Sequence, residues 1–184
     1  MATQRFWTNS TVEPKRAFRY FFSLESNAPD SSKIETYAIK SVKKPSFSVS
    51  EVPHQYVAHT FYYPGRVTWN PVDITFVDPV IPDQTAVITN MFIGGGYKIP
   101  TDEVNSRNSF SKGKYVNSVG TPKITQIDAD GQIIETWTLN NAFITTIDYG
   151  QLDYSSEDLV ILSVTLRYDF ATFESAGAPT SQLQ

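Results

Sequence analysis

A mainly β chain, folded as an antiparallel β-barrel or sandwich of two packed sheets with one flanking α-helix, is what this sequence predicts. Three observations carry that expectation. Residues 132–170 contain no proline and a single glycine, Gly150, and are dense in β-branched and aromatic side chains, the composition of a pleated, half-buried surface. At the end of that stretch Val160, Leu162, Val164, Leu166, Tyr168 and Phe170 alternate with Ser163, Thr165, Arg167 and Asp169. A period of two puts one face of such a strand on a core. Elsewhere about eight strand-like runs follow one another between turn signals, without the strand–helix alternation that a parallel sheet requires.

Taken in order, residues 1–15 read as an arm, polar except for Phe6 and Trp7, which gain about 1.5–3 kcal/mol each if they find a place to bury. The domain proper spans residues 16–174. Residues 16–24 form a first strand through Phe18, Tyr20, Phe22 and Leu24, residues 27–32 a turn, and residues 34–42 a second strand. Phe47, Val49 and Glu51 then alternate with Ser46, Ser48 and Ser50, giving a strand with one face of small hydroxyls. Val52-Pro53-His54 is expected to break it, residues 55–63 to return as its partner, and Pro64-Gly65 to turn. Residues 67–77 continue as a strand, with Pro71 at an edge or bulge.

The one helix expected starts at Asp78-Pro79 or Pro82-Asp83, where acids suit the N-terminal dipole. Val87, Ile88, Met91 and Phe92 recur at helical spacing, and Gly94-Gly95-Gly96 stops it. Residues 97–119 are polar and read as a long contact-making loop. Asp128-Ala129-Asp130-Gly131 is a hairpin turn leading into the β-rich stretch, and residues 175–184 are a polar tail.

Composition excludes several functions. The 184 residues suffice for one domain with its own core, and 40% hydrophobic content argues against disorder. Only 18% of residues are charged, so part of the surface is uncharged, the kind that meets other protein. With a net charge of −4 and no basic run longer than Lys43-Lys44, a grip on nucleic acid through phosphates is not expected. The absence of cysteine removes disulfides and thiolate metal sites. Nothing at the N-terminus resembles a signal peptide, and no apolar run approaches the roughly 20 residues that span a bilayer, so no membrane anchoring is expected.

No constellation calls for catalysis or a cofactor. Gly94-Gly95-Gly96 follows a helix instead of preceding one, so it does not present amides to a phosphate. His54 and His59 are the only histidines, and five residues apart on one strand they would face opposite ways, against a shared metal. Asp128 and Asp130 lack the glutamate of a calcium loop, and Asp148, Asp153 and Asp158 have no companion base or nucleophile in pattern.

Trp137-x-Leu139-x-Asn141-Ala142-Phe143, Gly150-x-Leu152-Asp153-Tyr154-Ser155 and Val164-Thr165-Leu166-x-Tyr168-Asp169 together resemble the C-terminal signature of tail tube proteins from contractile-tailed phages. Upstream, Arg16-Ala17-Phe18-x-Tyr20, Ser46-Phe47-x-Val49 and the run from Thr68 to Val77 are similar to the same family, so the resemblance spans roughly residues 16–170. Ile144 departs from it, standing where many members place proline. The resemblance implies a virion subunit with no enzymatic activity. Six copies would close into a ring, and rings would stack into a tube inside a contractile sheath. Baseplate and terminator proteins would be partners, and DNA would pass without specific binding.

The residues themselves fit that picture. Unpaired sheet edges are an aggregation hazard that a closed ring removes. Ser46, Ser48 and Ser50 suit an uncharged wet lumen, to which phosphates do not stick. Contacts between subunits or rings are expected from Phe6 and Trp7 in the arm, from Tyr63 and Arg66, and from Asn105, Arg107 and Phe110 in the long polar segment. Two alternatives stand beside this reading. One is the tube subunit of a phage-derived contractile injection or secretion system; the other is a carbohydrate-binding β-sandwich using Trp7, Tyr62, Tyr63 or Trp69.

Overall fold

The computed structural model describes residues 13–24, 34 and 36–176. Along the chain come β1 (Tyr20–Ser23), β2 (Ile39–Val42), β3 (Ser46–Tyr56), β4 (His59–Asn70), β5 (Val72–Val77), α1 (Gln84–Gly94), α2 (Lys112–Val119), β6 (Lys123–Ile127), β7 (Ile133–Asn140), β8 (Phe143–Asp148), β9 (Ile161–Arg167) and β10 (Phe170–Ser175). Two four-stranded antiparallel sheets, in the orders β1-β6-β7-β10 and β2-β5-β9-β8, share one core, while β3 and β4 form a separate two-stranded ribbon. The fold is thus the expected packing of antiparallel sheets, and it is not a closed barrel.

The core follows from the alternation. Val72, Ile74 and Phe76 of β5 stand opposite Leu166, Val164 and Leu162 of β9, and all six are buried. The other sheet contributes Phe22, Ile124, Leu139 and Ala171. Each large side chain so placed contributes about 1.5–3 kcal/mol relative to exposure.

α1 starts where its acids predict. The Asp83 carboxylate accepts the Ala86 N–H (2.9 Å), and Asp78 accepts the Gln84 N–H (3.1 Å) and the Thr85 hydroxyl (2.7 Å). Val87, Ile88 and Met91 face the core. At its other end the three glycines do more than stop the helix. A Cβ on Gly94 would lie 2.3 Å from Ser118 Oγ and one on Gly95 2.7 Å from the Tyr115 ring, so these two glycines let α2 approach closely. Gly96, with φ +106°, makes the turn itself.

α2 corrects the expectation of a loop over residues 97–119 and of a single helix. Its eight residues include Gly113 and little apolar surface, so local propensity is weak; burial of Tyr115, Ser118 and Val119 against α1 and β8 holds it. The buried Tyr115 hydroxyl donates to the Ile144 carbonyl (2.9 Å), and burial pushes the phenol up to about 12. Tyr115→Phe is expected to cost about 1 kcal/mol in urea unfolding, by stranding that carbonyl.

Other boundaries move for physical reasons. Residues 16–24 are strand only over β1, and residues 34–42 only from Ile39, after a 3-10 turn at Thr36–Ala38. The ribbon neither breaks at Val52-Pro53-His54 nor turns at Pro64-Gly65. It turns at Val57-Ala58, where Val57 takes the left-handed φ of 54°. Pro64 pairs with Glu51, and Gly65 and Arg66 then form a bulge opposite Ser50: a Cβ on Gly65 would come within 2.9 Å of the Ser50 carbonyl. Pro71 marks the passage from the ribbon into β5. Phe170 does not share the face of Leu162, Val164, Leu166 and Tyr168, because the chain turns at Asp169 and enters the other sheet.

Candidate assembly surfaces

The β3–β4 ribbon is eleven residues paired with twelve, and beyond its base nearly every residue is exposed. Isolated two-stranded ribbons are marginal in water, so one this long and apolar is a surface seeking cover. Its register assigns the faces. Near the body Phe47, Val49, Val67 and Trp69 share one face, with the Phe47 and Trp69 rings 5.2 Å apart; Ser46, Ser48, Thr68 and Asn70 share the other. At the bulge the apolar side changes: Val52, Phe61 and Tyr63 emerge on the hydroxyl face, together with His54, Tyr56 and His59. The turn at Val57 therefore brings the two histidines to the same face, correcting the opposite-face expectation. Among the described residues no group of three or more His, Cys, Asp or Glu could hold a metal.

Where the ribbon leaves the body, a groove of about 580 Å³ opens between Trp69 of β4, Phe110 and Tyr115 at α2, and Phe143 of β8. Tyr97, Phe110 and Tyr115 form a stacked ladder, with ring centroids 5.6 Å and 4.9 Å apart. Lys112, Arg167 and Asp169 edge the groove. Hydrogen bonds from Lys112 Nζ (2.7 and 2.9 Å) and Asn141 Nδ2 (2.8 Å) hold the Asp169 carboxyl below the usual carboxylate range. Asn141, left-handed at φ 55°, thus ties the β7–β8 turn to the β9–β10 turn.

At the far end of β8 and β9, the connection from Tyr149 to Val160 is exposed along most of its length, and its ends are tied to the body by the Tyr149 and Thr89 hydroxyls (3.0 Å) and by the Asp78 N–H donating to the Val160 carbonyl (3.1 Å). Gly150 opens it at φ +81°, Leu152 and Tyr154 are strongly exposed, and the Asp153 carboxylate is drawn low by the Ser155 N–H and hydroxyl. The remaining open surfaces are the outer strands β1, β10, β2 and β8, one side of each being unpaired among the described residues.

Phe6 and Trp7 lie outside the described residues. Tyr63 and Arg66 lie on the ribbon, on either side of the bulge residue Gly65. Asn105 and Arg107 sit in a 3-10 turn where Arg107 pairs with Glu103, and Phe110 lies in the groove. Of the signature residues, Leu166 and Tyr168 are core, Trp137 packs on Phe173 with centroids 4.7 Å apart, and Phe143 meets Tyr115. The groove had no linear signal, since its walls come from β4, α2, β8 and β9 and from Phe110 just before α2.

No family model matches the sequence, and no curated protein does. Solved structures do. A chain of the anti-feeding prophage baseplate superposes with a TM-score of 0.66 at 14% identity, covering 91% of this chain and all of that one. A chain of the PVC sheath-tube complex, an extracellular contractile injection system in its extended state, gives 0.59 at 18% identity over 95% and 100%. The SPP1 tail tube gives 0.55 at 12% identity over 88% and 80%. This is the tail-tube fold. At these identities the likeness is one of architecture, and the architecture agrees with the resemblance borne by the residues from Trp137 to Asp169. In the tail-tube fold of this chain, the ribbon and the connection between β8 and β9 carry many of the large exposed side chains among the described residues, with the groove opening at the ribbon's base.

Proposed function

We propose that this chain is a structural tube subunit without catalytic activity. Six copies close into a ring by matching their open outer strands, and rings stack into a tube inside a contractile sheath. Baseplate and terminator proteins cover the tube's ends, and the particle it belongs to is a phage tail through which DNA leaves. The observation that carries this is the long apolar ribbon beside two sheets with open outer strands, on a fold that superposes on tail-tube structures. Burying the ribbon and edges between copies removes a hazard that a lone protomer carries at every concentration.

A second reading, the tube of a contractile injection system with protein cargo, is favoured by the higher TM-scores to the prophage and PVC chains. A sugar-binding module has less support. Tyr62 and Tyr63 point to opposite faces of the ribbon and Trp69 packs on Phe47 and Tyr168, so these rings make no flat platform.

Negative-stain microscopy of the purified chain is the test: hexameric rings or tubes are expected, and a monomer at all concentrations overturns the proposal. The hydroxyl face of Ser46, Ser48 and Ser50 is assigned to the lumen. Ser48→Lys with Ser50→Lys is expected to slow DNA passage more than it harms folding, because lysines in a narrow bore hold phosphates, whereas the fold loses only the hydrogen bond that the Ser50 hydroxyl accepts from the Arg66 N–H (2.8 Å) at the bulge. Unchanged ejection from tubes of the double variant removes the lumen assignment.

A further inference from the structure

Leu152 and Tyr154 are large side chains that the subunit does not use. Leu152 is 83% exposed and Tyr154 fully so. They are nevertheless presented firmly. The Asp153 carboxylate accepts the Ser155 N–H (2.9 Å) and hydroxyl (2.8 Å), Ser156 Oγ donates to Asp158 (3.0 Å), and Gly150 N–H donates to Asp148 (3.0 Å). A knob fixed by its own turns loses little freedom when it docks.

We propose that Tyr154 of one copy seats in the aromatic groove of a second copy, with Asp153 meeting Arg167, so that copies join head to tail. This rests on the tube-subunit reading. Three observations select a second copy as the occupant. The groove and the knob lie at opposite ends of the same strand pair: Phe143 stands opposite Arg167 at the groove end, and Asp148 opposite Ser163 at the other. A patch that differs from its complement makes a heterologous contact, which propagates into closed rings or open stacks instead of stopping at a dimer. The charges also match. Residues 149–160 carry Asp153, Glu157 and Asp158 and no basic residue. On the groove, Lys112 is committed to Asp169, whereas Arg167 has no carboxylate partner among the described residues. Finally, about 580 Å³ walled by Trp69, Phe110 and Phe143 lies within the range of about 300–1,000 Å³ typical of ligand pockets and offers a tyrosine ring faces and edges to pack on.

The chain has no cysteine, which makes the contact directly readable. Leu152→Cys and Val67→Cys are introduced singly and together, and the assembled protein is mildly oxidised and run on non-reducing gels. A single cysteine cannot link more than two chains. The double variant is expected to give a ladder at successive multiples of 20.7 kDa. Rings or tubes without species above the dimer overturn the knob-in-groove contact and leave the tube reading standing. If the unmodified chain forms no rings or tubes, both fall. Independently, Tyr154→Ser is expected to leave the circular dichroism spectrum unchanged and to raise the concentration needed for assembly at least about tenfold. Assembly at the unmodified concentration overturns the proposal.

Discussion

Gly150→Ala is expected to lower the unfolding free energy by about 3 kcal/mol, seen as a fall in the urea midpoint with an unchanged slope. Two independent effects add. At φ +81° an L side chain is strained by about 1–2 kcal/mol, and the new Cβ would stand 2.6 Å from the Ile161 carbonyl, a clash with backbone that cannot swing away. Gly131 separates the two. Its φ is +78° and nothing lies within 4 Å of an added Cβ, so Gly131→Ala is expected to cost only the strain, about 1 kcal/mol. Equal losses at the two positions would show that the Ile161 carbonyl gives way. Because Gly150 also opens the connection that carries Tyr154, its replacement is expected to weaken assembly at temperatures where the subunit is still folded.

The contrast between these two glycines shows what was legible in the sequence. Gly131 announced itself, since Asp128-Ala129-Asp130-Gly131 is a local turn signal and the structure has the β6–β7 hairpin there. Strands β5 and β9 were equally plain, because each buries one face against the core and so must alternate. α1 was legible from Asp78 and Asp83, whose carboxylates cap it. What stayed hidden was decided by partners distant in sequence. Gly94 and Gly95 read as a helix stop, yet their need comes from Ser118 and Tyr115 on another helix. Pro64-Gly65 carries a stronger local turn signal than Val57-Ala58, but cross-strand pairing continues through the former as a bulge. The stretch from Val160 to Phe170 kept its period of two across a turn, because nothing within it reveals that Lys112 and Asn141 capture Asp169. For the assembly surfaces the limit is similar: exposed Leu152 and Tyr154 in a strand-rich stretch look like any other apolar pair until their burial is known.

Glu135→Ala is expected to cost about 2–3 kcal/mol, less than breaking a fully buried ion pair, because the two lysines concerned are about half exposed and can turn to water. Glu135 itself is buried at 4% exposure in β7, where it accepts from both Lys15 and Lys44; Lys44 also donates to Gln126 Oε1 (2.7 Å), and Gln126 Nε2 donates to the Arg16 carbonyl (3.0 Å). Burial raises the Glu135 carboxyl, and the hydrogen bonds and charges of Lys15 and Lys44 outweigh it, leaving the group below its ordinary value. A depressed folded pKa gives stability that is fully present above the unfolded value of about 4.3 and lost as pH falls through the folded one. The stability gap between the natural chain and Glu135→Ala is therefore expected to be constant from about pH 5.5 upward and to shrink on acidification below about pH 4.5. A gap that widens toward acid would refute the linkage. The position of this knot gives it a second consequence. Lys15 is the last residue of the segment 1–15 that the sequence marks as an arm, and Lys44 stands two residues before the ribbon begins. One buried carboxylate thus fastens the roots of two segments assigned to contacts between copies. In Glu135→Ala subunits that remain folded at neutral pH, assembly is expected to fail at concentrations where the natural chain forms tubes, and normal tubes from that variant would show that the two roots need no common anchor.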